Sequence, residues 1–306
     1  MRAETAVGNA AVERRETLLA GAAAGLTLVL WASAFVGIRA AGDDLSPVAL
    51  ALGRLVVGAI VLGTIVAVRR ERFPQLRQLP LIVLCGLLWF AAYSVALNAA
   101  EQRVDAGTAA MLVNVGPILI ALLAGLLLGE GFPPALLVGC VIAFAGVAVI
   151  GTATSGAGSS GGTGTLLCLA AALGYAGGVV TQKIVLRGVS ALQTTFLCCV
   201  VGAVACSPAA PSLARELGDA PSSSVVWTIY LGALPTALAF TTWAYALART
   251  SAGRLAATTY LVPALSVLFG WALLGEAPPA LAFAGGALCL AGVAVSRRRP
   301  APRHPS

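Results

Sequence analysis

The chain has 306 residues, of which 59% are hydrophobic and 10% are charged, and its mean hydropathy is +0.93. A soluble domain carries roughly 25% charged residues, so this composition excludes an ordinary water-soluble protein and favours lipid as the solvent. The formal net charge of +7 arises from short basic clusters between apolar runs, which is a membrane-topology signal. We therefore predict no nucleic-acid partner.

Ten apolar segments follow one another along the chain, each near the ~20 residues that a helix needs to cross the hydrocarbon core. We predict helices throughout, because an open strand would leave backbone groups unpaired in lipid. The predicted spans are 17–40, 47–68, 79–99, 106–128, 133–152, 164–184, 190–210, 224–247, 254–274 and 279–296.

The basic residues predict the orientation of these spans. With the N-terminus in the cytoplasm, 15 Lys and Arg residues fall on the inside and only Arg39, Arg103 and Arg215 fall on the outside. Cytoplasmic loops carry the excess of positive charge in membrane proteins. We predict a multi-pass protein of the inner (plasma) membrane with both termini in the cytoplasm.

An internal repeat is the most informative feature of the sequence. When residues 100–149 are compared with residues 246–295, a shift of 146 without gaps, 19 of the 50 positions are identical. The matches include Pro117 with Pro263 and a shared Leu-Leu-Gly-Glu that ends at Glu130 and at Glu276. A repeat of five helices must invert in the membrane, which is typical of secondary transporters.

The repeat predicts the domain organisation of an all-α integral membrane protein, with ten transmembrane helices as two inverted five-helix repeats. A charge-free run of Gly and Ser separates the two halves and reads as a flexible linker. The predicted units are a first repeat at 17–152, a linker at 153–163, a second repeat at 164–296, and cytoplasmic tails at 1–16 and 297–306.

Three motifs resemble those of a known family. They are Trp31-Ala-Ser-Ala-Phe35, Pro47 followed by Arg54, and the two copies of an Ala-Gly…Pro…Leu-Leu-Gly-Glu pattern. Together they resemble the drug/metabolite transporter superfamily in its EamA-type branch. The resemblance implies an exporter or exchanger with a central cavity lined by both halves, whose substrates are amino acids, other metabolites or drug-like compounds.

Polar side chains inside the spans are the candidates for substrate contact. Asn114 and Tyr260 occupy equivalent positions three residues before Pro117 and Pro263, where a helix-interior proline frees a carbonyl group. An interhelical hydrogen bond is the alternative for each. The further substrate-binding candidates within the spans are Trp31, Ser33, Tyr93, Asn98, Tyr175 and Trp243. Aromatic residues near helix ends often lie at the membrane interface instead.

Arg54 and Glu101 are the candidates for gating or coupling. Charges inside a span are costly and functional by default, but Arg54 could equally be a structural anchor near Asp43 and Asp44. Glu101 lies at the predicted outer end of the third span and has no counterpart, because Leu247 takes its place in the second half. It is the acidic residue best placed for proton coupling.

Glu130 and Glu276 have a structural interpretation instead. Each stands three residues before a proline that is predicted to open the next helix, where a carboxylate meets the positive end of the helix dipole.

The cysteine and histidine content of the sequence argues against an enzyme. The seven cysteines form no Cys-x-x-Cys pair and the only histidine is His304, in a polar tail. Enzymes generally need titratable groups gathered in one site, so we predict no enzyme, no cofactor and no metal site. The leading prediction is secondary export of a small metabolite such as an amino acid. Efflux of amphipathic drugs and a non-transport membrane protein are the alternatives, and protons, a counter-solute or a homodimer as partners stay open.

Overall fold

The computed structural model describes residues 2–71, 73–103, 112–154, 162–274, 280–296 and 298. Within these residues the regular structure is entirely helical, with no strand. The helices, in chain order, are α1 Arg2–Gly42, α2 Pro47–Arg69, α3 Leu79–Cys85, α4 Tyr93–Glu101, α5 Gly116–Leu127, α6 Pro134–Thr154, α7 Gly162–Val185, α8 Ala191–Cys206, α9 Ala210–Asp219, α10 Ser222–Leu231, α11 Ala239–Arg249, α12 Ala252–Ala257, α13 Leu261–Leu274 and α14 Ala280–Ser296.

Helix covers most of the described part of every predicted span. Six stretches are long and apolar enough to cross a membrane by length and composition, which confirms a helical membrane protein, whereas the ten-span topology stays a prediction. These stretches are Arg14–Gly42, Pro47–Arg69, Leu76–Glu101, Gly162–Val185, Ala191–Asp219 and Ser222–Arg249.

Two boundaries differ from the prediction. Residues 2–16 were predicted as a tail but continue α1, because this Ala-rich stretch has no proline to interrupt a helix. The seventh span continues from α8 through a short 3-10 turn into α9, which ends at Asp219. Most of the predicted linker and of the C-terminal tail lies outside the described residues, as do Asp105 and Glu276.

Two π-helical segments interrupt the spans near the centre of the protein. Gly86–Ala92 joins α3 to α4, and Gly232–Leu238 joins α10 to α11. The second contains Pro235, whose missing N–H prevents a regular α-helical hydrogen bond. π-Bulges often mark functional positions, and these two place Trp89 and Thr236 in the interior.

Carboxylates at the helix ends bind groups at the beginning of helices from the other half of the chain. On the predicted outer side, Glu216 accepts a hydrogen bond from the Ser46 N–H at 2.7 Å, and Asp44 accepts one from the Ser224 hydroxyl at 2.6 Å. On the predicted inner side, Glu71 accepts one from the hydroxyl of Ser190, the N-cap residue of α8. These bonds hold the two halves together at both ends.

Glu130 and Lys183 hold the turn between α11 and α12 from its two sides. The Glu130 carboxylate accepts hydrogen bonds from the N–H groups of Ala252, at 2.7 Å, and Gly253, at 3.2 Å. The Lys183 ammonium donates to the carbonyls of Leu247 and Thr250. Glu130 thus has a structural role, but it caps α12 and not the helix that follows it in sequence, because the chain turn brings it over the other half.

Helices α6 and α14 pack along each other through glycine. A Cβ atom added to Gly292 would lie 2.4 Å from the Ala143 N atom and 2.6 Å from the Gly139 carbonyl oxygen, and one added to Gly146 would lie 2.6 Å from the Gly285 carbonyl oxygen. Small residues allow such close backbone approach in membrane proteins. The repeat shift of 146 residues relates Gly139 to Gly285 and Gly146 to Gly292. The two contacts are therefore equivalent under the repeat.

We expect Gly292→Ala to destabilise the protein, because the new methyl group meets backbone atoms that cannot rotate away. The expected cost is about 1–3 kcal/mol, as for other overpacked interiors, measured by thermal unfolding of the purified protein in detergent. Gly286→Ala on the same helix is the matched control, since its Cβ would meet only the Ala264 side chain at 3.7 Å. Equal stability of the two variants would contradict the close packing.

Candidate functional site

An aromatic cluster fills the centre of the protein. Trp31 of α1 lies 4.9 Å from Trp243 and 5.3 Å from Phe240, both on α11, measured between ring centroids. Trp89 of the first π-helical segment lies 4.9 Å from Phe240 and 5.5 Å from Tyr175 of α7. Edge-on and tilted ring pairs of this kind are stabilising, so both halves of the chain contribute to one rigid aromatic cluster.

A cavity of about 70 Å³ opens beside the aromatic cluster, and we call it the central cavity. The space suits a few water molecules, since one needs at least about 10–15 Å³. Residues of both halves line it: Trp31, Ala34, Phe35, Ile38, Arg54, Trp89, Tyr93, Leu97, Val113, Asn114, Tyr175, Phe240, Thr259 and Val262. An apolar wall with a few polar groups is typical of a small-molecule site.

Arg54 is the charged residue in this lining. Its side chain is 7% exposed, and its Nε donates a hydrogen bond to the Thr236 hydroxyl at 3.0 Å. Thr236 lies in the second π-helical segment and in turn donates to the Leu231 carbonyl at 2.7 Å. In the described part of the chain this is the side chain's one hydrogen bond, so the terminal nitrogens of the guanidinium remain able to bind an anionic group.

A second, larger cavity of about 270 Å³ lies at the predicted outer side, and we call it the outer cavity. Ile38 lines both cavities, which places them next to each other. The outer cavity is lined by Ile38, Arg39, Gly42, Asp43, Leu45, Pro47, Leu50, Asn98, Glu101 and Gln102.

The structure brings half of the predicted site residues together. Trp31, Arg54, Tyr93, Asn114 and Tyr175 line the central cavity. Asn98 and Glu101 line the outer cavity instead. Trp243 is fully buried behind Trp31.

Two predicted residues lie away from both cavities. Ser33 is hydrogen-bonded to the Tyr230 hydroxyl at 2.6 Å. Tyr260 is fully buried in a separate hydrophobic cluster that includes Cys140 and Cys289. The 3-10 turn Thr258–Tyr260 directs the preceding residue, Thr259, toward the central cavity. Roles for Ser33 and Tyr260 in substrate contact remain untested predictions.

The sequence analysis missed Trp89, Phe240 and Thr259 in the cavity lining. Trp89 lies in a π-helical segment without proline, so no local break in the sequence marked it. Phe240 has no polar tip, yet it contacts Trp31, Trp89 and Phe90. Pro235 is the signal in the sequence that could have indicated this part of the cavity lining, because an interrupted span close to aromatic residues indicates an internal site.

These features are those of a multi-pass membrane protein with an internal cavity. The EamA-like transporter family model matches residues 19–152 and again residues 162–298. The chain belongs to this family, which confirms the resemblance to the drug/metabolite transporter superfamily, and its members are transporters and not enzymes.

Two relatives agree with this assignment, and one solved structure shares the fold. A probable terminal-alkyne amino-acid exporter of Streptantibioticus cattleyicolor is 37% identical over 91% of this chain and 93% of its own length. The uncharacterized transporter YdfC of Bacillus subtilis is 32% identical over 92% of this chain and 91% of its own length. A crystal structure with 21% identity matches with a TM-score of 0.75 over 93% of this chain and 96% of the other, which shows the shared fold alone.

Proposed function

We propose that this protein is a secondary transporter of the inner membrane that exports a small metabolite by alternating access through the central cavity. The proposed metabolite is an amino acid. The observation that carries this proposal is Arg54, a buried guanidinium beside aromatic walls whose terminal nitrogens bind no residue in the described ranges. Arginine binds carboxylates with two parallel hydrogen bonds, and aromatic rings accept an apolar side chain. The relative at 37% identity, a probable terminal-alkyne amino-acid exporter, supports the same substrate class.

The proposed topology has ten spans in two inverted repeats, with both termini in the cytoplasm. Two observations support it. The Gly139–Gly292 and Gly146–Gly285 contacts exchange under the repeat shift, as an inverted pair requires. Each carboxylate contact between the halves joins two loops that the charge bias places on the same side, as for Glu130 and Ala252.

Efflux of amphipathic cations is the second candidate. The aromatic cluster supports it, because aromatic faces bind cations. However, the described lining of the central cavity contains a cation, Arg54, and no carboxylate. A buried positive charge repels a cationic solute, so the charge of the cavity favours an anionic or zwitterionic substrate.

A transport assay with purified protein in liposomes tests the proposal. Vesicles are loaded with labelled amino acids, nucleobases or cationic dyes, with and without a pH gradient and with and without solute on the opposite side. We expect movement of one or more amino acids. Stimulation by the gradient would identify protons as the coupling partner, and dependence on opposite solute would identify exchange. Movement of the dyes alone would contradict the proposal.

A further inference from the structure

Two residues in the lining of the outer cavity each have a buried oxygen atom that accepts no hydrogen bond from the described part of the chain. Asn98 is 3% exposed and its amide nitrogen donates to the Pro47 carbonyl at 3.0 Å, whereas its Oδ1 atom is buried without a partner. The Oε1 atom of Glu101 is likewise buried and unpartnered. The two residues are three positions apart on α4, so they lie on the same face of the helix. A buried acceptor that binds nothing is costly, which indicates a ligand that donates hydrogen bonds.

Glu101 differs from the four carboxylates that join the two halves of the chain. Glu71, Glu130, Glu216 and Asp44 each bind a donor at a helix start of the other half. Glu101 has cations within electrostatic range, the exposed Arg39 and the buried Arg54, but no hydrogen bond satisfies its buried oxygen. Glu101 therefore combines an unsatisfied carboxylate oxygen with a place in the cavity lining, whereas the other four carboxylates already accept hydrogen bonds.

The number of free acceptors selects the class of ligand. A hard metal ion binds six or more oxygen atoms, and the described residues contain no cluster of three or more side chains that could hold a metal. The neighbouring carbonyls of Gly42 and Pro47 already accept bonds from Gln102 and Asn98. A primary ammonium has three donors, which suit one carboxylate oxygen, one amide oxygen and a water molecule.

We propose that the outer cavity is a recognition site for a primary ammonium group, formed by the Glu101 carboxylate and the Asn98 amide oxygen. The inference rests on the proposed function and deepens it, because the ammonium would be that of the exported amino acid. In the central cavity, Arg54 binds the carboxylate of the substrate. As the solute moves outward, Glu101 and Asn98 bind its ammonium in the adjacent outer cavity. The protein then requires a free amino group and rejects N-acylated analogues.

Thermal stabilisation of the purified full-length protein tests the site without relying on transport. The probes are isoamylamine, which carries the amine without a carboxylate, and 4-methylpentanoic acid, which carries the carboxylate without an amine. We expect isoamylamine to raise the unfolding temperature of the native protein and to bind Glu101→Gln about tenfold more weakly or worse, as expected for loss of a charge-assisted bond worth about 1.4 kcal/mol. Asp219→Asn, which removes an exposed outer charge, is the matched control and keeps the native response.

Several results would overturn this inference. One is an equal rise in the unfolding temperature of the native protein and of Glu101→Gln on addition of isoamylamine. Another is no rise for the native protein with isoamylamine, including the case in which sodium chloride alone raises its unfolding temperature. Asn98→Ala provides a second variant if Glu101→Gln fails to fold, and we expect it to weaken amine binding too. Liposomes that carry leucine and N-acetylleucine equally well would contradict the inference while supporting the proposed function. Liposomes of the native protein that carry no amino acid would contradict the proposed function separately from the binding result.

Discussion

Replacing Arg54 with methionine is expected to lower amino-acid transport by about 10- to 100-fold, since a hydrogen bond to a charged group contributes about 1.5–3 kcal/mol and each 1.4 kcal/mol is a factor of ten. Methionine fills a similar volume in the lining but cannot bind a carboxylate. The loss should appear as a higher KM for amino acids in liposomes. Arg54→Lys is expected to retain part of the activity, because it keeps the charge but loses the planar pair of donors.

Thr236→Val is the matched control for Arg54. It removes the hydroxyl that accepts the Arg54 Nε hydrogen bond but leaves the guanidinium in place. If Arg54 acted only as a structural anchor, Thr236→Val and Arg54→Met would lower thermal stability together and would change KM little. A KM effect confined to the Arg54 variants would support direct contact with the substrate.

Truncation of the cavity wall is expected to have the second-largest effect. Trp31 lines the central cavity and packs against Trp89, Phe240 and Trp243. Trp31→Ala removes the apolar surface that we propose contacts the substrate side chain, and burial of a large side chain contributes about 1.5–3 kcal/mol. We expect a roughly 10- to 100-fold increase in KM for aromatic and branched amino acids, with glycine affected least.

Trp227 provides the control for a general effect of tryptophan loss. It stacks edge-on against Tyr230 at 5.5 Å between ring centroids and does not line the central cavity. Trp227→Ala should lower stability without changing the order of preference among amino acids. An identical change in KM for glycine and for aromatic amino acids in Trp31→Ala would contradict the role of this wall.

The features that depend on composition and repetition were predictable from the sequence. Long apolar segments can be little else than helices in lipid, and the structure has helix in the described part of each. Trp31 and Tyr175, both candidates from the sequence, line the central cavity. Local patterns sufficed here because the positions face the interior of regular helices.

The features that depend on interruptions of the helices were not predictable. Equivalence by the repeat pointed to Tyr260, but a 3-10 turn brings Thr259 to the cavity. The π-helical segment around Trp89 contains no proline, so its register could not be derived from turn chemistry. Likewise, the partner of Glu130 is Ala252, 122 positions away, and such long-range partners follow from packing and not from neighbouring residues.

The most direct test of the central claim is chemical modification inside the central cavity. Ala34 lines the cavity and is 6% exposed, and the seven native cysteines are all buried, so Ala34→Cys supplies a single new thiol on the proposed path. A small methanethiosulfonate reagent is applied to liposomes, with Gly218→Cys, at an exposed position with nothing within 4 Å of its Cβ, as the control. We predict that the reagent stops amino-acid transport by Ala34→Cys, that added amino acid slows the modification, and that modified Gly218→Cys transports normally. Undiminished transport by fully modified Ala34→Cys would show that the substrate does not pass through the central cavity.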